Sequence, residues 1–377
     1  GKTLTIPTGL NLNGKTLTIY SQSAGTGKLV VTREKYSNGA EAVSGGKFVV
    51  NGGTVTITAG TNEVGTSALE EVELTINRGT VAATGEEALS NKGGAGLSGG
   101  KLTVNGGSAT IKGGNGGPDP VWDKAQGGDG LSGTEFYANG GEITIIGGKG
   151  SSGYKGGAGL SGGKISANGG TVNITGGSGN GSGDAGEALS GVETTIISGN
   201  SINITGGTGD GEGSDGGAAI VGGTLTVTGG APNIKGGNGG TNGNGGSVME
   251  GGTFSATGGT FTLTGGTGGG TTGNGGAGLK ETTVTIDSTG TVNITGGTSS
   301  SAGTGGVAFS GGKLTANKGT VNITGGPGSN GTSGSGGGNY VNGGNGGNGG
   351  NGGAAFTGQL EMNGGTITIT GGAGGNG

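Results

Sequence analysis

The chain has 377 residues, 114 of them glycine, with 27% hydrophobic, 3% aromatic and 11% charged residues and a formal net charge of −5. It contains no cysteine and no histidine, which excludes disulfides, thiolate metal sites and the commonest general base and metal ligand. Its scattered charges form no basic stripe for nucleic acid, and no apolar run reaches the length of a membrane span.

Residues 1–38 (LTIP, LNLNGKTLTIY, KLVVT) read as an irregular first coil. From residue 39 one phrase returns: GGTVTITAG at 52–60, GGTVNITGG at 169–177, GGTFTLTGG at 258–266 and GGTITITGG at 364–372. Its central apolar residue falls at Ile57, Ala83, Ile111, Ile145, Ile174, Ile204, Ile234, Leu263, Ile294, Ile323 and Ile369. Most of these intervals are 29 to 31 residues, and the longer ones of 34 and 46 mark insertions in loops.

Each repeat carries three short apolar segments, as in GAGLSGG (94–100), KLTVNGG (101–107) and the TVNIT phrase. Apolar and polar residues alternate in the second and third segments, the period of strands with one buried face. One such repeat cannot bury its own apolar face, so neighbours must stack. The expected fold is an all-β parallel β-helix, a single solenoid domain of about twelve coils of ~30 residues. Leu102, Val104, Ile165, Val172, Ile174, Leu225 and Val227 are expected to point inward. Ala88, Ala188, Ala219 and Ala308 are expected to fill a tight corner, and Asn105, Asn139, Asn168 and Asn363 to turn the chain or bond from coil to coil. After each TVNIT strand comes a loop rich in GGX triplets, such as GGNGGTNGNGG at 236–246 and NGGNGGNGGNGG at 342–353. That spacing suits polyproline-II-like helices of three residues per turn, forming a second layer, the alternative being a set of flexible surface loops.

The GAGLSGG, KLTVNGG and TVNITGG segments together resemble the right-handed β-helix repeats of bacterial cell-surface proteins, including carbohydrate-binding modules with a polysaccharide-lyase-like fold. The resemblance covers residues 39–377 and rests on core and turn positions, so it implies fold and an extracellular location rather than an activity. Handedness follows from the resemblance and from the general hand of parallel crossovers.

Four groups of residues are candidates for a site. The third strand presents outward columns, with Thr171, Asn173 and Thr175 in one coil, Thr291, Asn293 and Thr295 in another, and Thr320, Asn322 and Thr324 in the next. Threonine is a good solvent-facing strand residue, but a regular hydroxyl array could also match a repeating ligand, either polysaccharide or ice. The same strands create four NIT sequons, read as by-products of the repeat. Trp122 with Asp119 and Asp123, together with Tyr154, offers aromatic faces and acceptors suited to a sugar, or a plug over the core. Asp210, Glu212 and Asp215 could supply oxygen ligands for calcium, but their spacing matches neither an EF-hand nor tandem nonapeptides and a solvated loop is the simpler reading.

No set of acids and bases converges as catalysis requires, so the chain is not expected to be an enzyme or to carry a cofactor. A structural or adhesive extracellular protein is expected, as a stalk, a surface-layer element or a filament subunit. The alternatives are a carbohydrate-binding module and an ice-binding protein. Neither end shows the polar cap usual in solenoids, so the terminal coils are expected to stack head-to-tail or to continue into further chain.

Overall fold

A computed structural model describes residues 1–21, 25–33, 41–60, 65–88, 92–117, 125–197, 200–331 and 349–376. Among them there is no helix, and every pairing between named strands is parallel. The chain winds as a β-solenoid with about 29 residues per turn, in agreement with the expected stack.

Each coil lays strand on three faces. The first is short, as in Leu97–Ser98, Leu131–Ser132 and Leu160–Ser161, and the second longer, as in Lys101–Val104 and Thr224–Val227. The third carries the TVNIT phrase, as in Ser108–Lys112 and Phe261–Thr264. In Val43–Thr58, Leu69–Thr84 and Phe309–Thr324 the strand runs unbroken over all three faces. The short first face is sharply turned because Gly99 and Gly100 follow it at φ 63° and 61°, angles that a Cβ disfavours. Glu71 and Glu281 adopt the same left-handed angle, φ 52°, at the equivalent corner. No contact explains why glutamate stands there.

Alternation places one side of every strand in a common core. On the second face Phe48, Leu74, Leu102, Phe136 and Ile165 stack in register and are fully or almost fully buried. On the third, Ile57, Ala83, Ile111, Ile145 and Ile174 do the same. All seven residues expected inward are buried. One core position breaks the apolar rule: Thr194, stacked between Ile165 and Leu225, is buried with its hydroxyl unpartnered.

Within residues 1–38, Thr3–Ile6, Leu10–Asn11 and Thr16–Ile19 pair in register with the strands that follow. One expectation changes. Ala188, Ala219 and Ala308 are buried beside the first face, but Ala88 is not their counterpart. It bridges Gly116 on the loop layer, because the first-face strand of its coil is Leu97–Ser98, nine residues later.

The Gly-rich loops form an ordered wing. Each loop runs out along one arm and back along another. Gly176 and Gly179 donate to the carbonyls of Thr205 and Thr208 in the next coil, Gly206 and Gly209 to Lys235 and Asn238, and Gly236 and Gly239 to Thr264 and Thr267. The three-residue step of these donors is that of the extended helix expected from GGX. A second set of bonds ties the arms together: Gly177 donates to Gly157, Gly186 to Gly177, Gly207 to Gly186, Gly217 to Gly207 and Gly237 to Gly217, all at 2.7–2.9 Å. This zigzag continues through Gly246, Gly266, Gly276, Gly297, Gly306, Gly326 and Gly353 to Gly372. Two of the three residues in each triplet therefore face backbone, and the third faces solvent.

Candidate functional site

The outward side of the third face is the most regular surface of the molecule. Thr171, Asn173 and Thr175 stand in register with Ser201, Asn203 and Thr205. Farther along, Thr291, Asn293 and Thr295 align with Thr320, Asn322 and Thr324, and then with Thr366, Thr368 and Thr370. Asn203 Nδ2 donates to Asn173 Oδ1 at 2.8 Å, and Asn322 Nδ2 to Asn293 Oδ1 at 2.9 Å. The central column is thus held by its own amides, with threonine hydroxyls on either side. The array is interrupted by Asn233–Lys235, where Lys235 replaces a threonine. In Asn203 and Asn322 the nitrogen that glycosylation would use already donates a hydrogen bond.

A second asparagine ladder runs along the corner between the second and third faces. Asn77 donates to Asn51, Asn105 to Asn77, Asn139 to Asn105 and Asn168 to Asn139, at 2.8–3.1 Å, and Asn363 donates to Asn317 at 2.9 Å. These asparagines keep negative φ, and the glycine two residues later takes the left-handed turn, as Gly107 does at 76°. Of the two expected roles, bonding between coils is the one they fill.

Where the third face meets the outgoing arm of the wing, an open groove of about 270 Å³ is lined by Lys112, Lys149, Thr175, Ser178 and Thr208 among others. Lys149 pairs with Asp210 at 2.5 Å. Asp215 accepts from the backbone N–H of Asn244 at 2.7 Å. Asp210 and Asp215 are therefore engaged by different partners, Glu212 is exposed, and no group of three or more carboxylates among the described residues could hold a metal. Tyr154 is half-buried at the wing tip and donates its N–H to the Ser151 carbonyl. Trp122, Asp119 and Asp123 lie outside the described residues.

Sequence reasoning missed two buried acids in the wing. Asp129 accepts from Lys92 at 2.5 Å and from the Ala158 N–H at 2.9 Å. Glu86 is wholly buried at a position that is glycine in the coils above (Gly114, Gly148). Its Oε2 accepts from the N–H and hydroxyl of Thr66 at 2.5 and 2.6 Å, while Oε1 has no partner. Burial pushes its carboxyl above the usual range, opposed by the Thr66 bonds.

It also missed a charged stripe along the second face. Lys47, Glu73, Lys101, Glu135, Lys164 and Glu193 occupy one register position in six successive coils. Aligning the repeats on the residue before each second-face strand would have revealed it. Comparison with protein-family models, characterised proteins and solved structures returns no match.

Proposed function

We propose that this chain is a structural rod of an extracellular, cell-surface assembly, lengthened by stacking coil on coil with further copies of itself. The supporting observation is where large apolar side chains reach solvent. Of the six that do among the described residues, Leu4 (63% exposed), Tyr20 (76%), Leu360 (43%), Met362 (53%) and Ile369 (46%) all lie on the outermost coils, and Ile197 lies between them. Those coils also present unpaired strand edges, which are templates for another strand. A further coil of the same register, from another copy or from continuing chain, would cover both the apolar residues and the edges. Stacking of this kind is head-to-tail and does not close, so it lengthens into a filament.

The test is light scattering and electron microscopy of the chain over a range of concentrations, beside the variant Ile367→Lys with Ile369→Lys. Filaments from the unmodified chain and their loss in the variant are expected. An unmodified chain that stays monomeric at high concentration overturns the reading.

A second reading, a carbohydrate-binding surface like that of the modules its repeats resemble, is favoured by the Thr–Asn columns, whose fixed spacing suits a repeating ligand. Binding on a glycan array separates it from the first. Thermal hysteresis in its absence would instead favour ice as the repeating partner.

A further inference from the structure

The charges on the second face are ordered in a way that stacking alone does not require. In a parallel solenoid each outward column places successive side chains about 4.8 Å apart, so like charges in neighbouring coils repel. Alternation relieves this, and Lys47 and Lys164 pair with Glu73 and Glu193 at 3.0 and 3.1 Å. Alternation over an even number of coils has a second property. Read backwards, Lys-Glu-Lys-Glu-Lys-Glu becomes its own charge complement.

From this we infer that the stripe is an interface for a second copy of the chain, lying side by side and antiparallel about a two-fold axis between Lys101 and Glu135. In that register Lys47 faces Glu193 of the other copy, Glu73 faces Lys164 and Lys101 faces Glu135. Two-fold symmetry repeats each pairing, so all twelve charges are matched. A slide by one coil opposes like charges, and a slide by two leaves the terminal charges unmatched, so the centred register is favoured.

The side chains remain available. Those of Lys47 and Glu73 are 57% and 53% exposed, and those of Lys164 and Glu193 are 43% and 58%. A carboxylate with one donor and an ammonium with one acceptor each keep further hydrogen-bonding capacity. At the axis Lys101 lies over the Tyr137 ring, 4.3 Å from its centroid, and the Tyr137 hydroxyl donates to Glu135 at 3.2 Å. The centre of the interface thus carries an aromatic ring of the type enriched in interface cores. Both partners are flat sheet faces, which pack well face to face. Such charge pairs direct register and partner choice more than they add affinity, so the association is expected to be weak and salt-sensitive. It is lateral and does not depend on axial stacking, so a variant with blocked ends (Ile367→Lys with Ile369→Lys) keeps it.

The test is zero-length carbodiimide cross-linking of that end-blocked protein, using a mixture of isotopically light and heavy chains read by mass spectrometry. Lys47 and Glu193 are five coils apart, about 24 Å within one rod, so a direct link between them forms only between antiparallel copies. The expected result is Lys47–Glu193 and Glu73–Lys164 links of mixed isotope, with a dissociation constant that rises about tenfold or more between low and high salt.

A second experiment inverts all six charges (K47E, E73K, K101E, E135K, K164E and E193K), which preserves alternation within the rod. Each protein should then keep the centred antiparallel register with copies of itself, a register that a mixed pair cannot adopt because it opposes like charges there. Monomers at every salt concentration, links only between neighbouring positions such as Lys47–Glu73, or loss of the link between positions 47 and 193 in the inverted protein would each overturn the proposal.

Discussion

Gly237 donates its N–H to the carbonyl of Gly217 on the opposite arm of the wing at 2.8 Å, and a Cβ on Gly237 would collide with the carbonyl oxygen of Gly207 in the coil before. The hydrogen bond and the close approach have one cause. Arms can exchange backbone bonds in both directions only where neither carries a side chain.

The first prediction follows directly. Gly237→Ala must separate the arms or lose the bond, and is expected to destabilise the protein by about 1–3 kcal/mol, as overpacking does. Thr208→Ala, at an exposed third position of the loop in the neighbouring coil, should stay within about 0.5 kcal/mol of the parent. Urea denaturation of both variants checks the contrast. Equal stabilities would mean that the wing contributes nothing to the cooperative unit.

Thr194 supplies the second. Its hydroxyl is buried in an otherwise apolar column and has no partner, a penalty of about 1–3 kcal/mol. Thr194→Val keeps the shape and removes the hydroxyl, so the variant should be more stable by about that amount. A denaturation midpoint at or below the parent's would show that the site satisfies the hydroxyl.

The third concerns pH. Burial raises the Glu86 carboxyl above its ordinary value of 4.5, so the folded state holds the proton more tightly than the unfolded chain. Stability therefore falls as pH rises from about the unfolded value through the raised one. Glu86→Gln keeps an oxygen for Thr66 and removes the ionisation. The expected outcome is a shallower loss of stability as pH rises above about 4.5, measured by urea denaturation at several pH values. Glu70, also raised chiefly by burial, remains in both proteins and cancels in the comparison. An unchanged slope would mean that Glu86 does not ionise differently on folding.

Sequence by itself determined the repeat, the three apolar segments of each coil and the side of each strand that faces the core. A period-2 pattern such as KLTV at 101–104 has one inward solution once its neighbours stack. It also pointed to triplet helices in the loops, because glycine is needed wherever backbone meets backbone, but only the inter-loop bonds separate that layer from flexible loops. Only the tertiary structure decided which residues of different coils become neighbours. Coil lengths vary: Lys101 follows Glu73 by 28 residues and Glu135 follows Lys101 by 34, yet all three share one register position. The difference is absorbed in the wing, away from the paired faces, so separation along the chain does not report adjacency. For the same reason Ala88 looked like a corner alanine and proved to lie in the wing. The burial of Glu86 was equally hidden, because it stands where other coils have glycine and its environment is set by the arms on either side.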